Sequence, residues 1–95
     1  MKHITVEGLR LEYRDIAATD VNTPPLVLLH EGLGCVAMWR DFPQKLAATT
    51  GCRTVVFSRA GYGHSEAYAE RRTPRYMHYE GEVMLPAFLD ALGIE

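Results

Sequence analysis

The sequence predicts one α/β domain over residues 1–95, in which an antiparallel hairpin leads into a parallel strand–helix–strand unit and a final helix. Apolar and polar residues alternate from 3 to 14, whereas residues 26–29 and 53–58 form two mainly apolar runs. Alternation is typical of a strand with one solvated face, and a continuous apolar run is typical of a strand covered on both faces. A chain of 95 residues is long enough for one small domain only.

The first two predicted strands flank Gly8. Their apolar residues are Ile4, Val6, Leu9, Leu11 and Tyr13. Arg10 and Glu12 fall between these positions, so we expect their side chains on the solvated face. The linker that follows, residues 15–25, ends in two prolines, which prevent a helix and favour an extended start at Leu26.

A helix and a second buried strand follow the first apolar run. Apolar residues recur at helical spacing after position 38, and Pro43 is compatible with a helix that begins near Asp41, because proline is accepted in a first turn. Gly51 predicts the end of this helix. Strand, helix and strand within about 33 residues make a βαβ unit, whose two strands should be parallel with a right-handed crossover.

The last third of the chain combines a long polar loop, residues 58–73, with a helix. Thr73 and Pro74 predict the N-cap and the first position of that helix, and Gly93 predicts its end. Pro86 lies inside the helix and should bend it. The apolar face is expected to contain Met77, Gly81, Met84, Leu85, Phe88 and Leu92.

Composition argues against several classes of protein. Apolar residues make up 47% and charged residues 23% of the chain, as in ordinary globular proteins, and the net charge of −2 favours neither nucleic-acid binding nor polybasic membrane binding. The longest apolar run is too short to span a membrane, and the N-terminus lacks a secretory leader. Cys35 and Cys52 form neither a disulfide framework nor a zinc pattern. We therefore expect a cytoplasmic protein with reduced thiols and without a metal or cofactor.

A glycine-rich turn follows the first buried strand, at the place where open α/β sheets bind their ligands. Its backbone N–H groups could face a negatively charged oxygen. One interpretation is a dinucleotide site, because residues 32–37 have the spacing Gly-x-Gly-x-x-Ala and Arg59 could meet the 2′-phosphate of NADP. That interpretation explains neither the preceding hairpin nor the second pair of glycines, Gly61 and Gly63.

Two motifs carry a stronger resemblance. His30-Glu31-Gly32-Leu33-Gly34 follows the first buried strand, and Arg59-x-Gly61-x-Gly63-x-Ser65 follows the second. With the hairpin before them and the helix after them, they resemble the N-terminal portion of the α/β-hydrolase fold family over nearly the whole chain. The family's usual acidic residue before the arginine is Ser58 here, and its usual glycine after the histidine is Glu31.

The resemblance implies that these 95 residues contain one part of the catalytic site and lack the rest. Family members place an oxyanion-hole N–H in this loop, which corresponds to Gly32, with Leu33 as the neighbouring candidate, and such a donor is worth about 3–4 kcal/mol. Their nucleophile lies in a later Gly-x-Ser-x-Gly turn, followed by an acid and a histidine, and these are absent from the 95 residues. We therefore expect an N-terminal hydrolase fragment, inactive alone, whose parent cleaves an ester-like or related bond in a small molecule. Glu31 and Trp39 are candidate substrate-binding residues.

Three further expectations concern a sequence that imitates the nucleophile turn, the role of His30, and self-association of the chain. Residues 63–67 imitate the nucleophile turn but follow a glycine-rich loop rather than a strand, so Ser65 is expected to satisfy backbone groups. His30 is expected to position the glycine loop by hydrogen bonds. A non-catalytic alternative is a truncated chain that self-associates, because two apolar strands would have unpaired edges.

Overall fold

A mixed sheet of four strands lies at the centre of the structure, a computed structural model that describes residues 2–30, 34–68 and 75–94. The strands are β1 (Lys2–Val6), β2 (Leu9–Ile16), β3 (Leu26–Leu28) and β4 (Thr54–Phe57), in the order β1-β2-β4-β3. Strand β2 is antiparallel to both of its neighbours, whereas β3 and β4 are parallel. The α/β class, the antiparallel hairpin and the parallel strand pair are therefore confirmed.

The hairpin turn has the geometry that a two-residue loop requires. Glu7 and Gly8 both have positive φ angles, 49° and 80°, as in the turns whose twist matches that of the strands. Val6 consequently pairs with Leu9 on either side of the turn. This register places Leu11 in the core, where it is 1% exposed.

The solvated face predicted for the second strand is wrong at Glu12, which is 1% exposed. The loop after β4 folds over this part of β2. The Glu66 N–H donates to the Arg10 carbonyl at 2.7 Å, and the Glu12 N–H donates to the Ser65 hydroxyl at 2.9 Å. Arg10 itself is exposed, as predicted. A carboxylate is thus enclosed beneath a loop instead of being turned to solvent.

The two parallel strands differ in burial. All four residues of β4 are buried, which confirms the prediction for the second apolar run. Strand β3 is shorter than expected and half-buried, and Leu29 beyond it is 55% exposed. Strand β3 lies at one edge of the sheet, and the expectation that both of its faces are covered is not met.

The segment between β3 and β4 contains a 3₁₀-helix, Val36–Trp39, and α1, Phe42–Thr50. Helix α1 has Pro43 in its first turn and ends at Gly51, whose φ is 75°, as the sequence predicts. Arg40, with a φ of 53°, separates the two helices. The first two residues of the Gly-x-Gly-x-x-Ala spacing, 32 and 33, lie outside the described residues, so the dinucleotide interpretation stays an alternative.

The C-terminal helical region has three consecutive segments: α2 (Tyr76–Tyr79), a π-helical turn (Glu80–Met84) and α3 (Leu85–Ala91). Phe88 of α3 stacks on Phe57 of β4, with 4.2 Å between the ring centroids. The hydrophobic core around this contact contains Val6, Leu11, Val55, Phe57, Ala60, Met84, Phe88 and Ile94. The C-terminal helical region therefore covers the face of the sheet formed by β1, β2 and β4.

Only the C-terminal end of the predicted final helix lies among the described residues. Its predicted start at Thr73 and Pro74 lies outside the described residues. Gly93 follows α3 with a φ of 72°, as expected of a residue that ends a helix. Within the part of the chain that the structure describes, no helix is long and apolar enough to cross a membrane.

Candidate functional site

The carboxyl ends of β3 and β4 lie side by side, because the two strands are parallel and Leu28 pairs with Val56. His30 follows β3 at this edge, and Ser58 and Arg59 follow β4 beside it. Polar residues from two loops therefore meet at the edge of the sheet where α/β proteins bind their ligands.

His30 and Arg59 are joined by two hydrogen bonds. The Arg59 backbone N–H donates to His30 Nε2 at 2.9 Å, and its guanidinium Nη1 donates to the His30 carbonyl at 3.0 Å. The histidine is 6% exposed. Because the lone pair of Nε2 accepts a backbone N–H, that nitrogen cannot serve as a general base. His30 holds the start of the glycine loop, in agreement with the positioning role expected for it.

Tyr62 packs against both members of this pair. Its ring centroid lies 4.9 Å from that of His30, and the guanidinium carbon of Arg59 lies 5.1 Å from it. A guanidinium at this distance is attracted by the π-electrons of the ring. The ring thus restrains Arg59, whose backbone and side chain in turn hold the histidine.

Ser58 connects three segments through one hydroxyl group. Its Oγ donates to Glu12 Oε1 at 2.6 Å and accepts the Val36 N–H at 2.8 Å. Its own N–H donates to the Glu12 carbonyl at 3.1 Å. Ser58 is 0% exposed and Glu12 is 1% exposed. The start of the 3₁₀-helix is thereby attached to β2 and to the end of β4.

The second glycine motif, residues 59–65, packs against the hydrogen bonds that Ser58 makes with Glu12 and Val36. The Ser65 hydroxyl donates to the Ser58 carbonyl at 2.6 Å and accepts the Glu12 N–H at 2.9 Å. Its proton is therefore directed to a carbonyl, which is the structural role expected for Ser65 rather than that of a nucleophile. A Cβ atom on Gly63, whose φ is 51°, would come within 2.9 Å of Ser58 Oγ. Glycine permits this close approach.

Three of the predicted site residues, Glu31, Gly32 and Leu33, lie outside the described residues. The residues on either side of them, His30 and Gly34, are both buried. The oxyanion role of Gly32 and Leu33 and the substrate contact of Glu31 therefore stay predictions.

Trp39, the fourth predicted residue, is half-buried at the end of the 3₁₀-helix. Its ring stacks on that of Phe42, with centroids 5.9 Å apart. Its indole Nε1 is buried and has no hydrogen-bond partner among residues 2–30, 34–68 and 75–94. Buried indole N–H groups usually have a partner, so this unsatisfied donor is compatible with the predicted substrate contact of Trp39, which stays a prediction.

The described residues contain no group of three or more His, Cys, Asp or Glu side chains that could hold a metal ion. Cys35 and Cys52 are both free thiols. What the described residues do is hold the backbone in position before and after residues 31–33, through the bonds of Arg59 to His30 and of Ser58 to Val36.

Glu12 is the candidate residue that the sequence prediction missed. Its carboxylate lies at the Ser58 hydroxyl, on a strand adjacent to β4 in the sheet. The signal in the sequence is weak: Ser58 stands where the family usually has an acidic residue, and a carboxylate on a neighbouring strand could replace it. Alternation alone assigns Glu12 to solvent.

Comparison with protein-family models gives no match, and no curated protein sequence is significantly similar. Solved structures are similar. A mutant meta-cleavage product hydrolase from Pseudomonas fluorescens has a TM-score of 0.75 at 22% identity, over 100% of this chain and 33% of that one. A mutant epoxide hydrolase from Vigna radiata has a TM-score of 0.74 at 25% identity, over 98% and 27%. An α/β-hydrolase fold protein from Burkholderia ambifaria has a TM-score of 0.71 at 25% identity, over 99% and 31%.

The chain thus spans about a third of the length of the structures that it matches. The structural similarity shows the fold, and sequence identity at this level leaves the reaction open. The match extends over nearly all of the 95 residues, including the hairpin, the parallel strand pair and the C-terminal helix. By its fold, the chain corresponds to the N-terminal portion of the α/β-hydrolase fold family.

Proposed function

We propose that this chain supplies the oxyanion loop of an α/β-fold hydrolase that cleaves an ester-like or related bond in a small molecule. The attachment of the glycine loop at both ends supports the proposal most directly. His30 before the loop is bonded to Arg59, and Val36 after it is bonded to Ser58. A loop held in this way can keep backbone N–H groups in one orientation, as preorganised stabilisation of negative charge requires.

In this proposal, the backbone N–H groups of Gly32 and Leu33 donate to the oxygen that becomes negatively charged in the tetrahedral intermediate. Glu31 and Trp39 contact the substrate. The nucleophile, the acid and the catalytic histidine come from residues other than these 95, in which there is no Gly-x-Ser-x-Gly turn. Nucleophilic hydrolysis changes no oxidation state, so the reaction needs no redox cofactor.

The proposal names a class of bonds, ester-like or related, and no single substrate. The similar structures include a meta-cleavage product hydrolase and an epoxide hydrolase, so one N-terminal architecture occurs in enzymes named for different reactions. An activated ester is the appropriate first probe, because stabilisation of an oxyanion is common to acyl-transfer reactions.

Substitution of Leu33 tests the proposed donor. Leu33→Pro removes the backbone N–H, whereas Leu33→Ala retains it. In the intact protein, we expect kcat for p-nitrophenyl acetate to fall about 100- to 1,000-fold further in Leu33→Pro than in Leu33→Ala, with a smaller change of KM. Thermal unfolding of both variants checks that the fold is kept. Equal kcat values would contradict the proposal, as would binding of NADP without any ester hydrolysis.

A further inference from the structure

Glu12 is an unusual residue for the middle of a strand in a small sheet. It is 1% exposed, and its Oε2 has no hydrogen-bond partner among the described residues. Enclosing a carboxyl group with one oxygen unsatisfied costs stability, and an apolar residue of similar size would avoid that cost. The contacts of its other oxygen therefore require an explanation.

That other oxygen controls the direction of a hydroxyl group. Glu12 Oε1 accepts the proton of Ser58 Oγ at 2.6 Å. A serine hydroxyl has one proton and two lone pairs, so donation to Glu12 leaves its lone pairs to accept from elsewhere. The Val36 N–H donates to that oxygen at 2.8 Å. The carboxylate thus fixes the hydroxyl in the orientation that binds the Val36 backbone.

Val36 and His30 flank residues 31–33 in the sequence, and both are held by consecutive residues after β4. Ser58 binds the Val36 N–H, and Arg59 binds the His30 ring and carbonyl. A shift of Ser58 would therefore move one end of the glycine loop relative to the other. We infer that Glu12 is a positioning residue for the proposed oxyanion loop and acts through the Ser58 hydroxyl on the backbone at Val36. This inference rests on the proposed function.

Two substitutions break the connection at different places. Glu12→Met keeps the size of the side chain and removes the acceptor, and Ser58→Ala removes the hydroxyl. In the intact protein, we expect each to lower kcat for ester hydrolysis about 10- to 100-fold, while KM changes less than about threefold. Glu12→Gln retains an oxygen acceptor, so its kcat should lie between those of Glu12→Met and the unsubstituted protein.

The double variant Glu12→Met/Ser58→Ala tests the route. If Glu12 acts through Ser58, the double variant should have the same kcat as Ser58→Ala alone. A Glu12→Met effect that is undiminished in the Ser58→Ala background would overturn the inference. If Glu12→Met fails to fold, Glu12→Gln replaces it in the same comparison.

Hydrogen exchange at the Val36 amide separates this inference from the proposed function, because it requires no catalysis. We expect Glu12→Met and Ser58→Ala to accelerate exchange of this amide about tenfold or more relative to amides of β1. Asp15→Asn is the matched control, since it removes a carboxylate from the same strand at a different hydrogen-bonded contact, that with Arg53. It should change neither kcat nor the exchange of Val36 relative to the amides of β1. Exchange at Val36 that is equal in all of these variants would overturn the inference even if the protein is a hydrolase.

Discussion

Gly63 leaves no room for a side chain. A Cβ atom there would collide with the Glu12 carboxylate and lie 2.9 Å from Ser58 Oγ, and the φ of 51° disfavours any other residue. We expect Gly63→Ala to lower the free energy of unfolding by about 3 kcal/mol, from left-handed backbone strain and overpacking together. Urea unfolding followed by circular dichroism measures the loss.

Gly8 provides the matched control for this substitution. Its φ is 80°, and a Cβ atom would meet nothing within 4 Å. Gly8→Ala therefore introduces strain without overpacking, and we expect a loss of about 1 kcal/mol. If Gly63→Ala costs no more than Gly8→Ala, the loop over Glu12 has room to move and the network beneath it is not closely packed.

The roles of single residues were predictable where they depend on nearby sequence. His30 and Ser65 lie in glycine-rich loops next to strands, and the positions of these loops sufficed to predict that both hold backbone groups. Glu12 was not predictable, because the loop that covers it is contributed by residues about 50 positions later, as in its bonds to Ser58 and Ser65. Alternation tells which residues share a face of a strand and not what later covers that face.

The C-terminal helix shows where a regular helical period fails. The sequence places Met77 and Met84 on one face, yet Met77 is 58% exposed and Met84 is 1% exposed. The π-helical turn, Glu80–Met84, adds one residue to a turn and so rotates the preceding face by about 100°. Pro86 has no N–H to donate to the carbonyl of Glu82, which lies within that turn. The sequence predicts a bend at this proline, and the structure has a π-helical turn shortly before it.

Glu80 is buried in this part of the helix. It is 4% exposed and accepts the Tyr68 hydroxyl at 2.8 Å. Burial, together with the bond to Glu80, raises the pKa of Tyr68 well above its ordinary value of 10. The tyrosine also meets the rings of Tyr76 and Tyr79 edge-on. This contact joins the end of the second glycine loop to the helix.

An ion pair connects β2 to the residue before β4 and to the residue after α3. Arg53 donates to both oxygens of Asp15, at 3.0 and 2.7 Å, and to the Leu92 carbonyl at 3.2 Å. The hydrogen bond from Arg53 lowers the pKa of Asp15 below its ordinary 3.8. A carboxyl whose folded-state pKa is lowered stabilises the fold above its unfolded-state pKa, and this contribution is lost as the pH falls through the folded-state pKa. Asp15 thus stabilises the protein at neutral pH and not in strong acid.

We expect Asp15→Asn to lower the free energy of unfolding by about 1 kcal/mol at pH 7, because the pair is partly buried and bidentate. The difference from the unsubstituted protein should shrink as the pH falls below about 4 and vanish in stronger acid. Urea unfolding at a series of pH values measures it.

Asp41→Asn is the control for the ion pair. Asp41 contacts Lys45 at 3.2 Å one turn along α1, and both side chains are more than 70% exposed. We expect a smaller loss, since exposed pairs are weak. A loss in Asp15→Asn that is independent of pH would show that the pair does not account for the pKa of Asp15.

At the scale of the whole sheet, the sequence predicted the burial of one parallel strand correctly and that of the other incorrectly. The apolar run over residues 53–58 predicted a strand covered on both faces, and β4 has that burial because it lies between β2 and β3. The similar run over residues 26–29 gave the same prediction for β3, which is an edge strand and half-buried. An apolar run shows that a strand is compatible with burial on both faces. It does not determine where the strand lies in the sheet, because that position depends on pairing with strands distant in the sequence.

The exposed edge of β3 bears on assembly of the 95-residue chain. Leu29, directly after this strand, is 55% exposed, and an apolar edge with unpaired backbone groups favours pairing with a second copy. We expect light scattering at increasing concentration to show a mass above that of one chain. Leu29→Lys should weaken this association about tenfold, because a charged side chain at an edge opposes strand pairing.

Val21→Lys is the matched control for this substitution. Val21 is 88% exposed in the linker before β3, outside the four strands, so the same charge there should leave association unchanged. Equal weakening in both variants would show that net charge, and not the edge of β3, governs assembly. A single-chain mass at every concentration would show that the edge does not pair, in which case the half-buried β3 is stable without a neighbouring strand on its outer side.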